Sequence, residues 1–136
     1  MLGFKDKRIL ITGASKGLGW VCAQELAKQG ARLVFSGRNK EKLAELKASL
    51  LNPDMHMVFF GDLVDPKVIS ELVSKSEAFL GGIDIVLHVL GGGYGFRDPL
   101  LTWDQLDTLH KVNIGVAAEI NRWIVPGMIE QKSGNL

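Results

Sequence analysis

LITGASKGLG, Leu10 to Gly19, joins the end of an apolar run to three closely spaced glycines. The run that leads into it, RILIT (Arg8–Thr12), is continuous rather than alternating, which is the pattern of a strand buried on both faces. After it, Trp20–Gln29 carries Val21, Leu26 and Ala27 among polar residues, and Gly30 stands where a helix C-terminus favours glycine. Glycines between a buried strand and a helix have a specific use. One permits a turn with positive φ, a second lets a pyrophosphate approach the backbone, and a third lets the helix pack closely on the strand. The amides at the helix N-terminus then face the phosphate charge. Gly13, Gly17 and Gly19 stand in those positions. A glycine-rich turn with no ligand is the plainer reading, and the strand–turn–helix setting weighs against it.

The same alternation continues along the chain. RLVFS (Arg32–Ser36) reads as a second strand, Asn39–Leu50 as a helix, and HMVFF (His56–Phe60) as a third strand. Asp65-Pro66 opens the next helix as an N-cap followed by proline at the first helical position, and that helix runs to about Leu80. IDIVLHVL (Ile83–Leu90) is the fourth strand, broken by Gly91-Gly92-Gly93. Thr102-Trp103-Asp104-Gln105 has the form of a capping box and starts a long helix to about Gln131, with a kink expected at Pro126. Buried strands alternating with amphipathic helices imply an α/β fold, a doubly wound parallel sheet in which residues 1–136 form part of a single domain.

Composition narrows the function classes. The chain has 136 residues, 46% hydrophobic and 23% charged, with a net charge of +1, so no charge excess points to nucleic acid or an anionic membrane. A single cysteine, Cys22, cannot form an internal disulfide, and a cytoplasmic location fits. The first eight residues lack the apolar core of a signal peptide, and no run approaches the roughly 20 apolar residues of a membrane helix.

The glycine spacing, Thr12-Gly13-x-x-x-Gly17-x-Gly19, together with Gly61-Asp62-Leu63 after the third strand and Asn113 within HKVNIGVA, resembles the short-chain dehydrogenase/reductase family over the whole chain. That resemblance implies a nucleotide-binding doubly wound sheet carrying NAD(P) across its strand ends. It also implies hydride transfer between the nicotinamide and an alcohol or carbonyl substrate. The cofactor loop it implies is Gly13, Ser15, Lys16, Gly17, Leu18 and Gly19, with Val89 touching the cofactor through its backbone.

Charge separates NADP from NAD. An NAD site usually places an acid after the second strand to bind the ribose 2′-hydroxyl. Here Phe35-Ser36-Gly37-Arg38-Asn39 has none, and Arg38 is suited to a forked contact with a 2′-phosphate. Lys16 adds a second positive charge, a pair similar to that of NADP-preferring family members. A solvated surface arginine is the alternative for Arg38. Asp62 is suited to accept from the adenine amino group while the Leu63 amide donates to a ring nitrogen, as in the family; a turn-initiating aspartate before Asp65-Pro66 is the alternative.

Asn113 falls on an apolar helical stripe with Leu106, Leu109, Ala117, Ile120 and Ile124, where an unsatisfied amide costs a few kcal/mol. The resemblance implies an asparagine bonded to the backbone and to a water that relays protons to the active-site lysine; a polar residue satisfied by neighbouring backbone is compatible with it. A second stripe, Val112, Val116 and Trp123, is a candidate face for a homo-oligomer through helix 102–131 or for cover by other parts of the fold.

The family's serine and its Tyr-x-x-x-Lys pair have no counterpart here. The one tyrosine, Tyr94, has Asp98 four residues on and is expected to flank the substrate cleft. His56, His88 and His110 show no nucleophile or metal-ligand arrangement, and His88-Val89-Leu90-Gly91 stands where the family commonly reads Asn-Asn-Ala-Gly. A fifth strand and the serine are expected beyond Ser133-Gly134-Asn135-Leu136, which would leave the fourth strand as an unpaired edge. The expectation is therefore the amino-terminal part of an NADP-dependent reductase or dehydrogenase, inactive by itself. A non-catalytic nucleotide-binding module or redox sensor is the alternative.

Overall fold

The computed structural model describes residues 3–136. Its four strands are β1 (Arg8–Thr12), β2 (Arg32–Gly37), β3 (Met57–Phe60) and β4 (Ile85–His88). All pair in parallel, in the order β3-β2-β1-β4. Helices α1 (Gly17–Lys28), α2 (Lys40–Ser49) and α3 (Pro66–Leu80) connect them, and α4 (Trp103–His110) and α5 (Val116–Glu130) follow β4. The order reverses at β1, so the crevice beyond the carboxyl ends of β1 and β4 is the topological switch point.

Alternation inside each strand sorts side chains into two layers. Ile9, Ile11, Leu33 and Phe35 face α1 and α2 and pack with Ala23, Leu26, Leu43 and Leu46. Leu10, Val34, Phe59 and Val86 face the other way and pack with Ile69, Leu72, Val116, Ile120 and Ile124 from α3 and α5. Both faces are buried, which is why β1 and β2 read as continuous apolar runs.

Local signals place most helix starts. Asn39 caps α2 by accepting from the Lys42 amide, and Asp65 caps α3 by accepting from the Lys67 amide with Pro66 at the first position. Thr102 and Gln105 form the expected capping box at α4. Helix α1 begins at Gly17, three residues before the apolar pattern suggested.

Three further expectations are corrected. β4 is four residues long rather than Ile83–Leu90. At its start Asp84 is drawn to Arg8, accepting from the Arg8 backbone N–H, Nε and Nη2 at 2.9, 3.0 and 2.8 Å. At its end Thr12 Oγ1 takes the Val89 and Leu90 amides at 3.2 and 3.3 Å.

The long helix is broken at Lys111–Gly115, where a π-helical turn separates α4 from α5. Asn113 Nδ2 bonds the Leu109 carbonyl, which an α-helix would give to the Asn113 amide, and the Val116 amide bonds Lys111, five residues back. The inserted residue resets the phase. The buried stripe becomes Val112, Val116, Ile120, Ile124 and Met128, while Leu106 and Trp123 are exposed and Asn113 lies outside the stripe. Pro126 sits within α5 without ending it.

Finally, the outer edge of β4 is partly paired. Asn135 bridges Ile85 in parallel, its amide donating to Asp84 O and its carbonyl accepting from the Val86 amide, each at 2.9 Å. Among the described residues, no helix is long and apolar enough to cross a membrane.

Candidate functional site

At the switch point the glycines differ in what surrounds them. Gly13 has φ +71°, and a Cβ there would lie 2.9 Å from Leu90 N and Cα, so the turn after β1 is pressed against the chain leaving β4. A Cβ on Gly19 would strike the Gly13 carbonyl, so this glycine lets α1 pack on the turn. Gly17, at φ +59°, has nothing within 4 Å of that position. Space is therefore left open at the first residue of α1. Its N-cap, Lys16, is extended, and no side chain among the described residues caps the helix. The result is a helix N-terminus with free amides, an adjacent ammonium and room for an anion.

Two hydroxyls next to this turn lack partners. Ser15 Oγ and Ser36 Oγ are shut off from solvent, with no hydrogen-bond partner among the described residues. Ser15 Oγ lies so close to Gly37 that a Cβ on Gly37 would strike it. Buried hydroxyls are seldom left unsatisfied, and Ser15 stands where the loop meets the end of β2. Arg38 follows directly, and a hollow of about 440 Å³ lined by Arg38, Asn39, Lys40, Glu41 and Phe60 opens beside it. The groups present fit a dinucleotide: open space at Gly17, an unpartnered Ser15 hydroxyl and two cations, with no acid directly after β2 and Glu41 in the first turn of α2.

Asp62 and Leu63 follow β3 as expected. Asp62 Oδ1 accepts from the Val64 amide at 3.1 Å, and Leu63 is buried in the core. The other Asp62 oxygen is taken by an unexpected partner: Tyr94 Oη donates to Oδ2 at 2.8 Å. The Arg38 guanidinium carbon lies 4.3 Å from the centre of the same ring. Tyr94 thus reaches across to Arg38 and Asp62, beyond the ends of β2 and β3. Its phenol is held above the ordinary tyrosine value, first by the hydrogen bond to Asp62, then by desolvation and the carboxylate charge, with Arg38 pulling the other way.

Asn113 is exposed yet makes three hydrogen bonds. Nδ2 donates to Gly92 O and Leu109 O, both at 2.9 Å, and Oδ1 accepts from the Gly92 amide at 2.8 Å. It fastens the loop after β4 to the π-helical turn. One Oδ1 lone pair remains available to a water or another donor. Thr12, which opens the glycine motif but carried no role of its own in the sequence, makes the matching contact on the other side by holding Val89 and Leu90. Its signal was its place directly before Gly13, at the end of the central strand. His88 pairs through Nε2 with Asn121 Oδ1 at 2.7 Å.

The profile of the short chain dehydrogenase family matches residues 7–136. The chain belongs to that family. An uncharacterized oxidoreductase of Staphylococcus aureus (strain USA300) is 34% identical over 131 residues, which is 96% of this chain and 56% of the relative. Among solved structures, a short chain dehydrogenase from Bacillus anthracis superposes with a TM-score of 0.86 at 27% identity, covering 97% of this chain and 57% of that one. A metagenomic short-chain oxidoreductase in complex with NADP gives 0.85 at 26% identity, covering 98% and 63%. The chain thus spans little more than half the length of the relatives it matches. For a short-chain dehydrogenase, Gly13–Gly19 and Arg38 lie at the strand ends where this kind of sheet carries its ligand.

Proposed function

We propose that this chain carries the NADP(H)-binding part of an oxidoreductase that transfers hydride between the cofactor and an alcohol or carbonyl substrate. The observation that carries the reading is the end of β2. Ser36-Gly37-Arg38 offers no acid to a ribose 2′-hydroxyl, and it sets Arg38 beside the unpartnered Ser15 hydroxyl. A 2′-phosphate would satisfy Ser15 and take a forked contact from Arg38, with Lys16 adding charge nearby. The free amides of Gly17, Leu18 and Gly19 would hold the pyrophosphate. Asp62 and the Leu63 amide would read the adenine.

On the other side of the crevice the Val89 amide is committed to Thr12, so Val89 offers its carbonyl. The cofactor, when bound, supplies the hydride donor or acceptor. Asn113 then acts as a positioning residue, fixing the Gly92 backbone and holding a water on its remaining lone pair. Of the stripe Val112, Val116 and Trp123, the first two are buried, so association with a second copy of the chain would use the exposed Trp123 face of α5, and a cytoplasmic setting suits a reductase of this kind.

Fluorescence titration of the chain with NADPH and NADH tests the reading. NADPH should bind about tenfold more tightly or better, and Arg38→Asp should erase or reverse that preference, since a charge-assisted contact to phosphate is lost and a repulsion gained. Equal affinity of the parent chain for the two cofactors would overturn it.

A further inference from the structure

The segment between β4 and α4 holds a feature that the cofactor reading leaves unexplained. Tyr94 adopts φ +53°, the left-handed region that an aromatic residue rarely enters. Gly92 and Gly95 flank it with φ +114° and +82°, and neither has any atom within 4 Å of where a Cβ would stand. On the amino-terminal side the turn is anchored by the paired bonds between Gly92 and Asn113. Beyond it, the Phe96 amide closes back on Gly93 O at 2.9 Å. A side chain on such a turn has to be held by what it touches: Tyr94 lies against the Phe96 ring of its own loop, centroids 6.0 Å apart, and against two groups of the crevice. Its hydroxyl spends itself on Asp62 Oδ2, and its ring lies against the Arg38 guanidinium.

We propose that Tyr94 is a latch that sets cofactor affinity: in the free chain it occupies Arg38 and Asp62, and the adenosine half of the cofactor must displace it. The proposal rests on the reading of Arg38 and Asp62 as the adenosine subsite. Its logic is competition for two groups. Asp62 Oδ2 cannot accept fully from both a phenol and an adenine amino group. A guanidinium lying on the ring has to turn away from it to fork onto a phosphate. An aromatic ring whose O–H donates to Asp62 and whose face is covered by Arg38 stands in for an adenine, which would offer a flat face and an amino N–H. The open space around Gly95 lets the turn swing while Asn113 keeps its root, Gly92, in place. Apparent affinity then falls by the fraction of chains with the latch closed, and removing the latch restores it.

The test is isothermal titration of the parent chain, Tyr94→Phe and Tyr94→Ala with adenosine 2′,5′-bisphosphate, and separately with reduced nicotinamide mononucleotide. The Phe variant keeps the ring and drops the bond to Asp62; the Ala variant drops both contacts. Binding of the bisphosphate should tighten by about threefold in Tyr94→Phe and about tenfold in Tyr94→Ala, while binding of the mononucleotide should not change. Because Tyr94 is the single tyrosine, phenolate absorbance reports on it alone. Its titration, with Asp62 and Arg38 as the charged groups facing it, should move down toward the ordinary tyrosine range when the bisphosphate is added. Bisphosphate affinity that is unchanged or weaker in Tyr94→Ala would overturn the latch and leave the subsite standing. Absence of bisphosphate binding in all three chains would overturn the latch and the subsite together.

Discussion

The two ends of the sheet are built on opposite terms. At the amino-terminal end polar groups are matched. Arg8 donates to Asp84, to Gly81 O and to Gln131 Oε1, and a Cβ on Gly82 would already crowd its guanidinium. Nearby, His56 is buried with Nδ1 accepting from the Leu33 amide and Nε2 reaching Leu51 O. At the carboxyl end Ser15 and Ser36 have no partners, the α1 N-terminus has no side-chain cap, and Tyr94 is held in a left-handed turn, all among the described residues. Unspent hydrogen-bonding capacity lowers stability where it stands, and a ligand is what can recover it. One end therefore spends its polar groups on the fold, and the other leaves hydrogen-bonding capacity that a ligand would recover.

Substitutions can break that contrast, beginning where the two purposes meet. Gly13→Val places a branched side chain at positive φ against the Leu90 backbone, so its first effect is on the fold. A loss of about 3 kcal/mol or more is expected in urea unfolding. A stable Gly13→Val chain would show that the turn and the end of β4 are not pressed together.

Asp84→Ala attacks the matched end. It leaves the Arg8 side chain, about a quarter exposed, without its carboxylate. Urea unfolding should show a loss of about 2 kcal/mol with NADPH affinity unchanged. A large change in affinity would mean the two ends are coupled.

Gly17→Ala attacks the open end. The new methyl meets no protein atom, so the stability cost is confined to left-handed strain of about 1 kcal/mol. It should weaken NADPH by about tenfold by filling the space at the α1 N-terminus, as titration would reveal.

The smallest effect is one of pH. Burial, first, pushes the His56 ring below its ordinary value of 6.5, Lys47 adds to this, and the bond to Leu51 O opposes it. The unfolded chain takes up the proton more readily than the folded one. Stability from His56 is therefore complete above pH 6.5 and declines as the pH falls below it. Urea midpoints measured across that window should fall on acidification, and His56→Gln should flatten the decline; a midpoint that rises would mean the folded ring is charged.

Readings that depended on adjacent residues carried through. RILIT and RLVFS announced buried strands because a strand covered on both faces has no polar face to display. Asp65-Pro66 and Thr102/Gln105 announced helix starts because a cap is a contact between residues two or three apart. The helix face around Asn113 was misread because a period of 3.6 assumes an unbroken helix. The π-helical turn arises from bonds that Asn113 makes both to Leu109 and to Gly92, 21 residues away.

By itself the sequence determined the alternation of strands and helices through β4, the glycine turn at Gly13–Gly19 and the absence of an acid after β2. Each of these is written in neighbouring residues. Only the tertiary structure decided how β4 is trimmed, how its outer edge meets Asn135, and where Tyr94 comes to rest. Thr12 reaches Val89 across 77 positions, and Tyr94 reaches Asp62 across 32. Such contacts form because parallel strands deliver their carboxyl ends to one edge of the sheet, and no local pattern records which loop side chain will find which partner there.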